Sequence, residues 1–415
     1  MDDIAKSEFR EAWLGAMQAE LGGHEKAGTF STGHVPEAAT VISAKWVCSW
    51  KTDADDTVTK AKTRLVARGF RQRFAVDYFE TFAATPSMAS IKLVMAVAVQ
   101  EEWPLYHFDV TQAFVQAEMD TDVYMRLPQG CSVLVDVTVK LEKSIYGIKQ
   151  AGRQWSRLLC ETLLEDVGMV QCEADPCVFE MEDAGDVRVI LFVHVDDIFI
   201  SGSEEYVGKV GKILDNKFPT NNLGEVTWYM GCAVDNEWDR GTLSVTQTTF
   251  TDTLLKRFEV RGYSEIPASV SVKLGPTPGE DKKVNRPYRN AVGGLMWLGT
   301  VARPDIANSV RVLAPQSHDP CERHWEAVMK VLKYLNETKG FGLTFKKAHD
   351  GLSVFCDADN AKEETDRRSV SGVAVMYVDI VVSATSRTQH CVTLSTTEAE
   401  CVTMAEGPKG GLFVK

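Results

Sequence analysis

The sequence predicts an α+β chain built from more than one unit. Three observations carry that reading. Hydrophobic residues recur at about four-residue spacing in some stretches and cluster in short β-branched runs in others. One such run, Leu191 to Gly202, is apolar except near Asp196-Asp197 at its midpoint, as in a hairpin of two short strands. From Gly342 onward short strands dominate again, which marks a separate α/β unit.

The elements follow in order. Phe9, Trp13, Met17 and Leu21 recur every fourth residue, so residues 5 to 21 read as an amphipathic helix stopped by Gly22-Gly23. Residues 41 to 50 read as a strand and Asp53 to Thr57 as a polar turn. Lys60, Lys62, Arg64, Arg68, Arg71 and Arg73 then crowd into fourteen residues. Ser87 is placed to cap a helix running to about Gln100, and Leu105 to Val110 form a short strand. Trp155, Leu158, Leu159 and Leu163 line one side of a helix over 153 to 167, ended by Gly168. The acidic hairpin covers about 188 to 201, and a helix follows to Phe218. Strands are expected over 226 to 234 and 242 to 246. Past 248 the spacing is helical, broken by a Pro-, Gly- and Lys-rich linker at about 264 to 287.

Composition bounds the function classes. The chain has 415 residues, 44% apolar and 25% charged, which are globular values. No apolar run approaches the ~18 residues of a membrane span. Met1 to Lys6 show no basic and apolar leader. Ten cysteines without paired spacing fit reduced thiols. A net charge of −13 argues against a generic nucleic-acid binder, so phosphate binding would need a local basic patch.

The chemistry starts at the acids. Two adjacent carboxylates within an apolar hairpin repel each other, and burial raises the cost of both charges. A divalent cation neutralises such a pair best. The turn lacks the Asn-Gly or Asp-Gly of ordinary two-residue hairpins. A further carboxylate, Asp109, ends a strand 87 residues earlier. Two strands of one sheet could bring the three acids together as a two-metal site for in-line displacement at phosphorus.

An ordered series of motifs then runs along almost the whole chain. It comprises Lys62-Thr63-Arg64-Leu65-Val66-Ala67-Arg68-Gly69-Phe70, Asp77-Tyr78-Phe79-Glu80-Thr81-Phe82, and Asp109-Val110 with Ala113-Phe114. Ser144-Ile145-Tyr146-Gly147-Ile148-Lys149-Gln150-Ala151 with Arg153 and Trp155 follows, then Val195-Asp196-Asp197 and Leu223 to Gly231. Arg303-Pro304-Asp305-Ile306-Ala307 and Ser395-Thr396-Thr397-Glu398-Ala399-Glu400 complete it. With these residues the chain resembles the reverse transcriptase of copia-type (pseudovirus) retrotransposons.

The resemblance implies a right-hand polymerase of fingers, palm and thumb, followed by a partial RNase H-like α/β domain. The implied divisions are fingers and palm over 1–245, thumb and connection over 246–340, and the RNase H-like part over 341–415. It implies that Asp109, Asp196 and Asp197, with the carbonyl of Val110, hold two Mg²⁺ ions, for which Mn²⁺ can substitute. Lys62 and Arg64 would clamp the incoming dNTP, as suits point-charge and bidentate phosphate contacts. Phe114 would act as a steric gate against a 2′-hydroxyl. Gly147, Lys149 and Gln150 would pack against the templating base pair, and Leu223 to Gly231 would form the primer grip. Asp357 and Glu400 match the first two acids of the RNase H site. The next two would lie past Lys415, so RNA-strand hydrolysis is expected to be absent.

The expected partners are an RNA template, a DNA or RNA primer, dNTPs and other products of the retrotransposon polyprotein, with no membrane. The expected location is cytoplasmic, in a virus-like particle, or nuclear. The chain departs from the family pattern at His194 (usually Tyr), Gly152 (usually Pro) and Thr63 (usually Ala). None of these is a metal ligand. The alternative reading is a catalytically decayed or host-retained nucleic-acid-binding remnant.

Overall fold

A computed structural model describes residues 7–52, 57–131, 137–269, 274–275, 283–349, 351–360 and 367–414. Residues 1–6, most of the Asp53-to-Thr57 turn and much of the 264–287 linker lie outside these. The chain divides into two compact units, described separately. Unit 1 comprises Met1–Thr85, His107–Ile200 and Glu204–Leu223, and unit 2 comprises Pro86–Tyr106, Ser201–Ser203 and Gly224–Lys415.

Unit 1 opens with α1 (Arg10–Ala27), which buries Trp13, Met17 and His24. The helix does not stop at Gly22-Gly23. It runs on to Gly28, whose φ of +64° closes it in the left-handed conformation that glycine adopts without strain. Gly23 has a different use: a Cβ there would collide with the side-chain amide of Gln112. Strands β1 (Phe30–Ser31), β2 (Val41–Thr52), β3 (Val58–Ala67), β5 (Glu118–Arg126) and β6 (Thr138–Lys143) form a five-stranded sheet in the order β1-β6-β5-β2-β3. Its pairings are antiparallel except β2 with β5. One face rests on a core that includes Ile42, Leu65, Val123, Met125, Leu141 and Ile145.

A six-stranded sheet carries the acids. Its order is β11-β4-β10-β9-β8-β7, with β4 at Leu105–Val110, β7 at Val170–Gln171, β8 at Val178–Asp183, β9 at Asp186–His194, β10 at Asp197–Gly202 and β11 at Thr220–Glu225. The helix α3 (Ala151–Glu161) continues as a π-helical turn through Val167 to Gly168. Helix α4 (Glu204–Lys217) follows β10.

Unit 2 includes α2 (Met88–Gln100), whose Ser87 hydroxyl accepts a hydrogen bond from the Ser90 amide at 3.0 Å, the expected cap. A four-stranded sheet runs β12 (Trp228–Tyr229), β13 (Cys232–Glu237), β14 (Thr242–Thr246) and β15 (Gly342–Lys346). The strand expected over 226–234 is therefore split, because Met230 and Gly231 both take positive φ and turn the chain. Helices α5 (Thr248–Arg257), α6 (Tyr288–Val301), α7 (Ala307–Leu313) and α8 (Glu322–Glu337) enclose a core of Leu254, Tyr288, Leu295, Ile306, Val328 and Leu335. Strands β16 (Leu352–Asp359), β17 (Val370–Tyr377) and β18 (Ile380–Thr388) form an antiparallel sheet against α9 (Thr396–Val414). Among the described residues no helix is long and apolar enough to cross a membrane.

Candidate active site

The hairpin fixes the geometry. β9 ends at His194 and β10 begins at Asp197, so Val195 and Asp196 are the turn. Val195 has a φ of +61°, a costly conformation for a β-branched residue. Two hydrogen bonds hold it there. The indole of buried Trp155 donates to the Val195 carbonyl at 2.6 Å, and the Val110 amide donates to the Asp196 carbonyl at 3.0 Å. The second bond sets the end of β4, and with it Asp109, beside the turn.

The Asp196 carboxyl is pushed above its ordinary value of 3.8. Burial is the main cause, and the charges of Asp197 and Asp109 add to it. The three acids are thus within electrostatic range. Their side chains are not drawn into one cluster: among the described residues no three His, Cys, Asp or Glu side chains form a group that could hold a metal ion. Asp197 instead points one oxygen at His107, with Oδ1 and Nε2 2.7 Å apart.

The basic strand lies within the same field. Along β3, Ala61, Thr63, Leu65 and Ala67 are buried, while Lys62 and Arg64 alternate onto the other face. Burial, then Arg64 and Lys51, pulls the Lys62 ammonium below its ordinary value, and Asp109 and Asp196 oppose that shift. Arg64 stacks over the Tyr146 ring at 5.0 Å, and Tyr146 meets Phe114 edge-on at 4.8 Å. Phe114 sits in a short 3-10 turn, Ala113–Gln116, and is half-buried against the core of the five-stranded sheet.

Gly147 is required by close approach. Its φ is +94°, and a Cβ would stand 2.1 Å from the Ala67 carbonyl oxygen. That contact exists because the Ala67 amide donates to the Tyr146 carbonyl at 2.8 Å and the Gly69 amide to that of Gly147 at 3.1 Å. Lys149 is exposed, with Nζ 3.2 Å from the Tyr78 hydroxyl. Gln150 lies beneath the surface of the same segment. It is fully buried, its oxygen accepts from Gln72 at 2.9 Å, and its nitrogen donates to the Asp77 carbonyl at 2.9 Å. It braces the loop and does not present its amide at the surface.

Residue spacing gave no signal for four other participants: His107, Gln72, Tyr146 and Glu20. Tyr146 lies within the Ser144-to-Ala151 run, and the partners of the others are far away in sequence. Glu20 of α1 accepts from the Leu65 amide at 3.1 Å and from the Gln112 amide group at 3.0 Å. It thereby ties α1 to the basic strand and to the turn before Phe114. Burial alone would raise the Glu20 carboxyl, but His24, Gln112 and Leu65 outweigh it and hold the carboxyl below its ordinary 4.5. A folded value below the unfolded one means the stabilisation is present above about pH 4.5 and is lost as pH falls through the lowered value. Glu20→Gln should cost about 1–3 kcal/mol at neutral pH. It should also flatten the loss of stability on acidification, read as urea midpoints between pH 6 and 3. Parallel curves for the two proteins would remove this role.

In unit 2, Asp357 lies on β16 and Glu400 on α9. Gly407 and Gly411 of α9 lie against Cys356 and Val354, so strand alternation turns Asp357 to the opposite face. No hydrogen bond or ion pair joins Asp357 to Glu400 among the described residues. Glu398 has a local duty. It accepts from the Leu394 amide at 2.7 Å, while Ser395 accepts from the Glu398 amide at 3.1 Å, a capping arrangement at the start of α9.

Comparison with known proteins gives a consistent picture. The family model described as reverse transcriptase (RNA-dependent DNA polymerase) matches residues 27–269. The retrovirus-related Pol polyprotein from transposon TNT 1-94 of Nicotiana tabacum is 31% identical over 411 residues, 96% of this chain and 31% of that protein. The corresponding polyprotein from transposon RE1 of Arabidopsis thaliana is 32% identical over 94% of this chain and 27% of its own length. The chain therefore spans less than a third of these relatives. A foamy viral protease-reverse transcriptase, solved in complex with double-stranded DNA, aligns with a TM-score of 0.51 at 10% identity, covering 96% of this chain and 60% of that one. At that identity the likeness concerns the fold.

Proposed function

The chain belongs to the reverse transcriptase (RNA-dependent DNA polymerase) family, and from that premise we propose that it extends a DNA or RNA primer along an RNA template, with the transfer site in unit 1. One observation carries the reading: an acidic turn and a basic strand share one electrostatic field, so that Asp109 and Asp196 act on Lys62 while Arg64 acts on Asp196. A nucleoside triphosphate with divalent cations needs both signs of charge at that range.

The donor set suits Mg²⁺ or Mn²⁺, since Asp109, Asp196 and Asp197 supply hard oxygens whose mutual repulsion a cation relieves. Held there with help from the Val110 carbonyl, two such ions would activate the primer 3′-hydroxyl and offset charge on the departing pyrophosphate. Lys62 and Arg64 bind the triphosphate, and the Tyr146 ring beneath Arg64 keeps its guanidinium oriented. Phe114 stands under the sugar. Gly147 brings backbone close to the templating pair, with Lys149 beside it. We read residues 1–245 as fingers and palm, 246–340 as thumb and connection, and 341–415 as an RNase H-like region carrying Asp357 and Glu400. Leu223 to Gly231 serve as primer grip. The helical cluster α5–α8 supports the thumb reading, and the β16–β18 sheet with α9 supports the last.

The test is primer extension with oligo(dT) on poly(rA), with Mg²⁺ and with a chelator. Extension only in the presence of the metal is expected, and its absence under every metal and salt condition removes the proposal. Phe114→Val should raise rNTP use relative to dNTP by about tenfold or more, one decade per ~1.4 kcal/mol of relieved clash. An unchanged ratio would make Phe114 a packing residue.

A further inference from the structure

His107 stands two residues before Asp109 on β4, on the same strand face. Its Nε2 is 2.7 Å from Asp197 Oδ1, a partner 90 residues away. The imidazole is itself held. It stacks on Phe199 with centroids 4.5 Å apart and planes 16° apart, and Phe199 stacks in turn on Phe192 at 4.7 Å and 15°. His107 is only 18% exposed, whereas the Asp197 side chain is 35% exposed. The second carboxylate oxygen, Oδ2, has no hydrogen-bond partner among the described residues. The turn bonds from Trp155 and Val110 fix the backbone on the other side of Asp197.

We propose that His107 is a positioning residue of the transfer site: it locks the Asp197 carboxylate in one orientation through Oδ1 and leaves Oδ2 as the oxygen available to a divalent cation. This rests on the two-metal reading above. A carboxylate clamped by an outer partner binds metal without first losing its rotational freedom, and loss of such partners typically weakens binding by 10–100-fold. The Phe199–Phe192 stack makes the clamp stiff, because the ring cannot turn away without breaking it.

The test uses the full chain and Mn²⁺ as the probe. Binding is read from the loss of the free-ion paramagnetic resonance signal without nucleic acid, and compared with the half-saturating Mg²⁺ in primer extension. His107→Leu should weaken both by roughly 10–100-fold with the KM for dTTP little changed. His107→Gln keeps a donor and should stay within about threefold of the parent. In an Asp197→Asn background, His107→Leu should add less than about twofold, because both changes remove one coupled pair. Additive losses overturn the inference, as does a Leu variant that binds like the parent, or a Gln variant as weak as the Leu variant. Should His107→Leu fail to fold, His107→Phe, which keeps a ring on Phe199 and removes the nitrogen donor, takes its place in the same cycle with Asp197→Asn. A parental protein that neither binds Mn²⁺ nor extends a primer removes the two-metal reading itself. With a parent that does both, the variants test the role of His107 alone.

Discussion

Asp196→Asn is expected to reduce primer extension by about 10³-fold, since metal-borne charge stabilisation is worth several kcal/mol and each ~1.4 kcal/mol is a decade. The same substitution should make the folded chain more stable. The Asp196 carboxyl sits above its ordinary 3.8 because burial and the charges of Asp197 and Asp109 disfavour the anion. A raised folded value for an acid means the fold is weakened wherever the group is ionised, above that value. Asparagine keeps the shape and removes the charge, so the thermal midpoint at pH 7 should rise, by about 2–4 °C for each kcal/mol relieved. Opposite signs in the two readouts mark a residue kept for chemistry at the expense of stability. Extension at the parental rate would end the assignment, and a lowered midpoint would end the repulsion argument.

Arg303→Ala should produce the largest loss of stability in unit 2. Arg303 is only 2% exposed, yet each of its three side-chain nitrogens donates a hydrogen bond. It donates to both Asp305 oxygens at 2.8 and 3.0 Å, to the Thr338 carbonyl at 2.9 Å and to the Thr338 hydroxyl at 2.7 Å. The Tyr334 and Phe341 rings flank it at 5.5 and 5.6 Å. Tyr334 also donates to Asp305 at 2.8 Å. This knot ties the α6–α7 junction to the end of α8. Arg303 is buried while the Asp305 side chain is 35% exposed, so the loss comes from the Thr338 carbonyl and hydroxyl left without their donor and from the cavity opened, about 3–5 kcal/mol together. At about 2–4 °C per kcal/mol the midpoint should fall by about 6–20 °C. Arg303→Lys should recover little, because a single ammonium cannot span the bidentate and lateral contacts. A fall below about 2 °C would show that the knot contributes little.

Elements set by local spacing were legible in the order of residues. The Ser87 cap, the strand to Val110, the hairpin around Asp196-Asp197 and the helix ended at Gly168 all depend on near neighbours, and each forms as expected. The family was legible because its motifs are short runs that can be read without a structure. At Gly22-Gly23 a distant group overrides the local signal. Gly22-Gly23 reads as a helix stop, yet the helix continues, and Gly23 makes room for Gln112. The partners of Gln150 also come from far along the chain, Gln72 and Asp77 lying 78 and 73 positions away.

What the sequence by itself determined is which residues carry charge and where strands and turns fall. Only the tertiary structure decided which charges meet. The pairing of His107 with Asp197, of Glu20 with the Leu65 amide and of Trp155 with the strained Val195 carbonyl each joins residues 40 or more positions apart. Such bonds form because folding buries polar groups that must find partners in space, and no periodicity along the chain encodes which partner lies within reach.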